Sequence, residues 1–166
     1  KSISGNPRST VGTVTEVYDY LRLLFAKVGV AHRPKHHKPL VSQTPAQIVE
    51  QVLQKPSGTK YYVLAPAARA QKGEFLKEFT DWAKKGFVRA RVDGEWIELA
   101  DVRKLAKRKN HDIDLLVDRL IVKPEFTDRL RESVNLSLST AQGQVVIEEV
   151  GKQGELHSIH AACPIC

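Results

Sequence analysis

Apolar residues recur along this chain in two rhythms, and the changes between them mark its elements. Val14, Val17, Tyr18, Leu21, Leu24, Phe25 and Val28 keep a 3.6-residue period behind a capping box of Thr13 and Glu16. This predicts a helix over 14–28, with Gly29 as the residue just past its end. The polar opening "KSISGNPRSTVG" reads as extended or loop, and "VAHRPKHHKPLVSQ", with two prolines and no period, reads as a linker. A second capping box, Thr44 to Gln47 with Pro45 at the first helical position, opens a short helix that should bury Ile48, Val49, Val52 and Leu53.

Beyond "KPSG" the rhythm alternates between periods of two and 3.6. "KYYVLAP" is strand-like, and "KGEFLKEFTDWAKKG" is an amphipathic helix on Phe75, Leu76, Phe79, Trp82 and Ala83, closed by Gly86. "FVRARVDGEWIEL" is a hairpin, because Asp93-Gly94 suits a two-residue type I′ turn. That turn pairs Val88 with Leu99, Arg89 with Glu98, Ala90 with Ile97 and Arg91 with Trp96. "ADVRKLAKRKN" is a basic connection to the long strand "HDIDLLVDRLIVK". "PEFTDRLRESVNLSLS" is helical, with Phe126, Leu130, Val134 and Ser137 on one stripe, and "QVVIEEVGKQGELHSIH" is a second hairpin. Together these elements predict an α+β fold, a mixed or antiparallel sheet with packed helices.

Three arginines stand out against this pattern. Arg89 and Arg91 share one hairpin face, where they either meet a partner or stay internal, Arg89 paired with Glu98 and Arg91 stacked on Trp96. Strict alternation puts Arg119 on the strand face of Ile113, Leu115, Val117 and Ile121. A guanidinium there must emerge at the strand end, sit beyond a bulge, or find an anion such as Asp118 or Glu98, because burial without a partner costs several kcal/mol.

Composition narrows the function classes. The chain has 166 residues, 42% hydrophobic and 27% charged, which fits a folded domain. Its apolar runs fall far short of a membrane span, and no signal-peptide pattern occurs. The formal net charge of +7 admits nucleic acid or an acidic protein surface as partner, and the basic run "RKLAKRKN" adds phosphate contacts or a solvated connector. No phosphate-binding glycine loop and no nucleophile elbow is present, so the chain is not expected to be an enzyme. Lys1 opens the sequence and it contains no methionine, which suggests an excised piece of a longer protein. The two cysteines, Cys163 and Cys166, form a Cys-x-x-Cys pair suited to half of a tetrahedral zinc site or to a redox pair; their close spacing favours a reducing, cytoplasmic setting. His32, His36 and His37 could join them in a Cys₂His₂ site, the basis of a metalloenzyme alternative, or remain solvated loop residues.

The stretch "NPRSTVGTVTEVYDYLRLLFAKVG" resembles the UvrA family, the ABC-type ATPase subunits of bacterial nucleotide excision repair. "SQTPAQIVEQVL", "VLAPAARAQKGEF", "GFVRARVDGE", "HDIDLLVDRLIVK", "RLRESVNLSL" and "ACPIC" continue the resemblance in the family's order, over essentially the whole chain. It implies a docking module for a second subunit, UvrB, over 44–155, flanked by pieces of a signature domain at 1–43 and 156–166. Arg89 and Arg119 match the family's docking arginines, and Arg91 beside them is a third candidate; Arg8 lies on the flank toward DNA. The resemblance further implies that Cys163 and Cys166 are two of four zinc ligands, the others following this chain's last residue. ATP binding, DNA binding and the UvrA dimer would then belong to the full-length protein. Arg33-Pro34-Lys35-His36 stands where relatives carry Cys-Pro-x-Cys or Cys-Pro-x-His, which argues against a metal role for that loop. A DNA-binding module of the same repair protein is the rival reading.

Overall fold

A computed structural model describes residues 17–32, 40, 42–101, 104–123 and 125–161, divided between two units, Lys1–Leu40 and Val41–Cys166. The first unit contains helix α1 (Val17–Val28), none of whose residues is buried within it. The expected capping box at Thr13 and Glu16 lies outside the described residues. Gly29 is not the left-handed terminator its sequence position suggests. Its N–H bonds the Phe25 carbonyl at 3.0 Å, and a Cβ there would lie 2.4 Å from that oxygen, so close approach explains the glycine.

In the second unit the chain runs α2 (Pro45–Leu53), β1 (Lys60–Lys72), α3 (Leu76–Lys84), β2 (Arg89–Val92), β3 (Glu95–Glu98), a 3₁₀ turn at Leu99–Asp101, β4 (Asn110–Ile121), α4 (Thr127–Thr140), β5 (Gln144–Glu149) and β6 (Glu155–Ser158). The α2 capping box closes as predicted: the Thr44 hydroxyl accepts from Gln47 N–H at 3.3 Å, and Gln47 Oε1 accepts from Thr44 N–H at 2.8 Å. Ile48, Val49 and Val52 are buried, but Leu53 is 38% exposed because the helix ends there and its last residue turns outward. In α3 only Phe79 is buried, while Leu76 and Ala83 are exposed. Phe75 adopts a left-handed φ of 51° ahead of α3, so the helical phase starts later than the apolar pattern suggests.

All strand pairings are antiparallel, giving a six-stranded sheet in the order β3-β2-β4-β1-β5-β6. The hairpin register is the one the turn dictates, with Arg89 opposite Glu98, Ala90 opposite Ile97 and Arg91 opposite Trp96. Asp93 and Gly94 both take positive φ, 52° and 93°. The β6 strand crosses position 155, so Leu156, His157 and Ser158 pair with Val146, Val145 and Gln144 in the same sheet.

The helices pack on one face of this sheet. Ile48, Val52, Leu130, Val134 and Leu138 meet Tyr61, Val63, Val145 and Ile147 in one apolar cluster. Phe79 of α3 meets Ala65, Ala90, Val92, Ile113 and Leu115 in a second. Val117 touches both clusters. Ser137, fully buried in α4, lies 3.0 Å from the Leu64 carbonyl oxygen and 3.2 Å from that of Gln144, fastening the helix to β1 and β5. The opposite face carries Tyr62, Trp96, Glu98, Arg89, Arg91 and Arg119, and among the described residues the helices of this unit pack on the other side.

Candidate docking surface

A break in strand pairing sets up the open face. Val63 pairs with Asp118, but Leu64 pairs with Leu116, leaving Val117 as an extra residue on β4. One inserted residue shifts the two-residue alternation, so positions after the bulge swap faces. Leu120, rather than Arg119, therefore points into the core, and Arg119 is exposed opposite Tyr62. Of the three exits open to Arg119, the chain uses the bulge.

Neither acidic candidate neutralises the Arg119 guanidinium. Asp118 accepts from the Arg119 backbone N–H at 2.7 Å, but its carboxylate is held by Arg129 at 2.7 and 2.8 Å and by the Ser133 hydroxyl at 3.0 Å. Burial raises the Asp118 pKa, yet these hydrogen bonds outweigh it and keep the carboxylate below its ordinary value. Glu98 is occupied by Arg89, at 2.7 and 3.1 Å. Among the described residues Arg119 forms no salt bridge. Its guanidinium instead lies 5.4 Å from the Tyr62 ring centroid.

The aromatic rings join the two exposed arginines. Tyr62 and Trp96 are 5.3 Å apart between centroids and inclined at 55°. With Ile97, Leu116, Glu98, Arg89 and Arg119 they line a shallow cavity of about 320 Å³. Arg89 and Arg119, far apart in sequence, thus stand at one concave site with an apolar floor. Arg91 lies on the same face, but its guanidinium reaches inward to Asp114 and Glu148 and lies 5.7 Å from the Trp96 centroid. Burial lowers its pKa, but the two carboxylates outweigh this and hold it above the usual arginine value. Pattern reading did not single out Tyr62, Arg69, Asp114 or Glu148. The available signal was an acidic residue inside each of two apolar strands, "HDIDLLV" and "VVIEEV".

Arg8, Arg33, His36, His37, Cys163 and Cys166 lie outside the described residues. His32 is exposed, with Nδ1 2.9 Å from the Val30 carbonyl oxygen. Among the described residues no group of three or more His, Cys, Asp or Glu side chains could hold a metal ion, and no helix is long and apolar enough to cross a membrane. Lys104, Lys107, Arg108 and Lys109 of the basic connection are all exposed, and Lys109 pairs with Asp93 at 3.1 Å.

Residues 43–151 match the family model described as the UvrA interaction domain. The chain belongs to the UvrA interaction domain family. Similar curated proteins are UvrABC system protein A of Rhizobium meliloti, 51% identical over 148 residues and 89% of this chain, and that of Pseudomonas aeruginosa, 48% identical over 170 residues and all of it. The Bacillus subtilis UvrABC system protein A is 46% identical over 166 residues, again covering the whole chain. The chain spans 15%, 18% and 17% of the length of these three relatives. Arg89, Arg91 and Arg119 all fall inside the segment matched to the UvrA interaction domain, as do Tyr62, Trp96 and Glu148; Arg8, Cys163 and Cys166 fall outside it.

Proposed function

We propose that the open sheet face docks UvrB, holding it against its UvrA-type parent so that damaged DNA passes between them. The observation that carries this reading is Arg119: an exposed guanidinium stacked on Tyr62, without an acidic partner among the described residues. A guanidinium is weakly hydrated and offers a planar fork, so it loses little on meeting a carboxylate across an interface. Arg89, already paired with Glu98, adds positive potential at the same cavity and steers an acidic partner toward it. The aromatic floor supplies apolar area that a charge pair alone lacks. Nucleotide hydrolysis in this reading takes place in other segments of the parent protein.

Calorimetry with purified UvrB is the test. Arg119→Ala should weaken binding by roughly 1–4 kcal/mol with the circular dichroism spectrum unchanged. Full affinity in that variant removes Arg119 from the interface, and absence of binding by the wild-type chain removes the docking role. Titration with labelled duplex at two salt concentrations addresses the DNA-binding rival, which requires binding with a steep salt slope.

A further inference from the structure

Arg91 shares the open face with Arg89 and Arg119 but differs from both in its contacts. Its Nη2 donates to Asp114 Oδ2 at 3.1 Å, and its Nη1 donates to Glu148 Oε2 at 2.5 Å. Asp114 and Glu148 are buried, and Arg69 of β1 also bridges to Asp114. In the sheet, β4 and β1 separate β2 from β5, so the reach from Arg91 to Glu148 straps four strands. Leu64 and Val146 lie on this same face and are buried, although the helices pack on the other side. The guanidinium also lies over Trp96, Trp96 packs on Tyr62, and Tyr62 lies under Arg119. A continuous run of contacts therefore leads from two buried carboxylates to the exposed docking arginine.

We propose that Arg91 is a positioning residue of the docking face: bridged to Asp114 and Glu148, it fixes the Trp96–Tyr62 pair that presents Arg119. This rests on the docking reading above. Turning Arg91 outward to touch a partner would leave the buried Glu148 carboxylate without its cation and Asp114 with Arg69 alone, a strongly unfavourable exchange. Lysine cannot substitute, because one ammonium neither spans both carboxylates as a fork nor stacks flat on an indole.

In the whole chain carrying Trp82→Phe, Trp96 is the sole tryptophan and reports on its own packing. Acrylamide quenching of its fluorescence should rise about twofold in Arg91→Met and Arg91→Lys, and likewise in Glu148→Gln, which keeps the side-chain shape and guards against misfolding. UvrB affinity should fall about tenfold in each, and Arg91→Met should cost nothing further in a Trp96→Ala background. Unchanged quenching overturns the proposal, as does full affinity in Arg91→Lys. An undiminished loss in the Trp96→Ala background would make Arg91 a direct contact and also overturn it. If the wild-type chain does not bind UvrB, the docking reading fails, and quenching alone then decides whether Arg91 positions Trp96.

Discussion

Arg89 and Arg119 flank one cavity, but they are not equivalent cations. Arg89 shares its charge with Glu98 across the hairpin, and both side chains are about half exposed, so their pairing contributes little to stability. That pairing does lower the positive potential offered to an acidic partner. Replacing Glu98 with Gln should therefore strengthen UvrB binding, up to about fivefold at low ionic strength, because an exposed pair is worth about 0.2–1 kcal/mol. The gain should shrink as salt is raised. Calorimetry at two salt concentrations checks this, and weaker binding by Glu98→Gln would place Glu98 itself in contact with the partner.

At the scale of elements, the β2–β3 turn and the α2 start are both held by polar side chains that bond backbone N–H groups. The Asp93 carboxylate accepts from the Asp112 backbone N–H at 3.0 Å, His111 Nδ1 at 2.8 Å and Lys109 Nζ at 3.1 Å. The Asp112 hydrogen bond is the main reason its pKa falls to about 2; burial opposes the shift, and His111 and Lys109 reinforce it. The folded pKa lies below the unfolded one, so this contribution to stability is present above about pH 4 and is lost as pH falls toward 2. Asp93→Asn retains tolerance for the left-handed turn while removing the charge. Chemical denaturation from pH 5 to pH 2 should show a shallower loss of stability in this variant than in the wild type. An identical pH slope would mean that the turn carboxylate does not contribute. At α2, Thr44→Ala removes one arm of the capping box and should cost about 0.5–2 kcal/mol in a urea titration. Loss of this cap affects a helix that packs against α4, so the cost is expected in global unfolding.

On the scale of the whole second unit, the sheet separates the helix-covered core from the candidate docking face. Helices α2, α3 and α4 cover one face, and the docking candidates occupy the other. Leu130 is fully buried at the junction of α2, α4 and β1, so Leu130→Ala should destabilise the fold by about 2–5 kcal/mol. At temperatures where the variant stays folded, its UvrB affinity should match the wild type. A parallel loss of affinity would show that the two faces are coupled through the sheet.

Much of this arrangement was legible in the residues alone. Thr44-Pro45 and Gln47 announce the α2 cap, Asp93-Gly94 fixes the hairpin register, and the stripe Phe126, Leu130, Val134 and Ser137 marks the buried side of α4. Each is a short-range pattern with a local physical cause. Periodicity puts Leu53, Leu76 and Ala83 on buried helix faces, but all three are exposed, because apolar periodicity locates a face but not where a helix begins or ends. The site required more. Alternation extrapolated along β4 puts Arg119 on the core side, and only the bulge at Val117, whose side chain packs against both apolar clusters, turns it outward. Arg91 finds Asp114 and Glu148 at separations of 23 and 57 residues, a meeting that strand order creates and no local pattern contains. The sequence by itself determined the elements, the hairpin register and the family. Tertiary pairing decided which arginine faces outward and which is held within, because sheet register is a property of neighbouring strands.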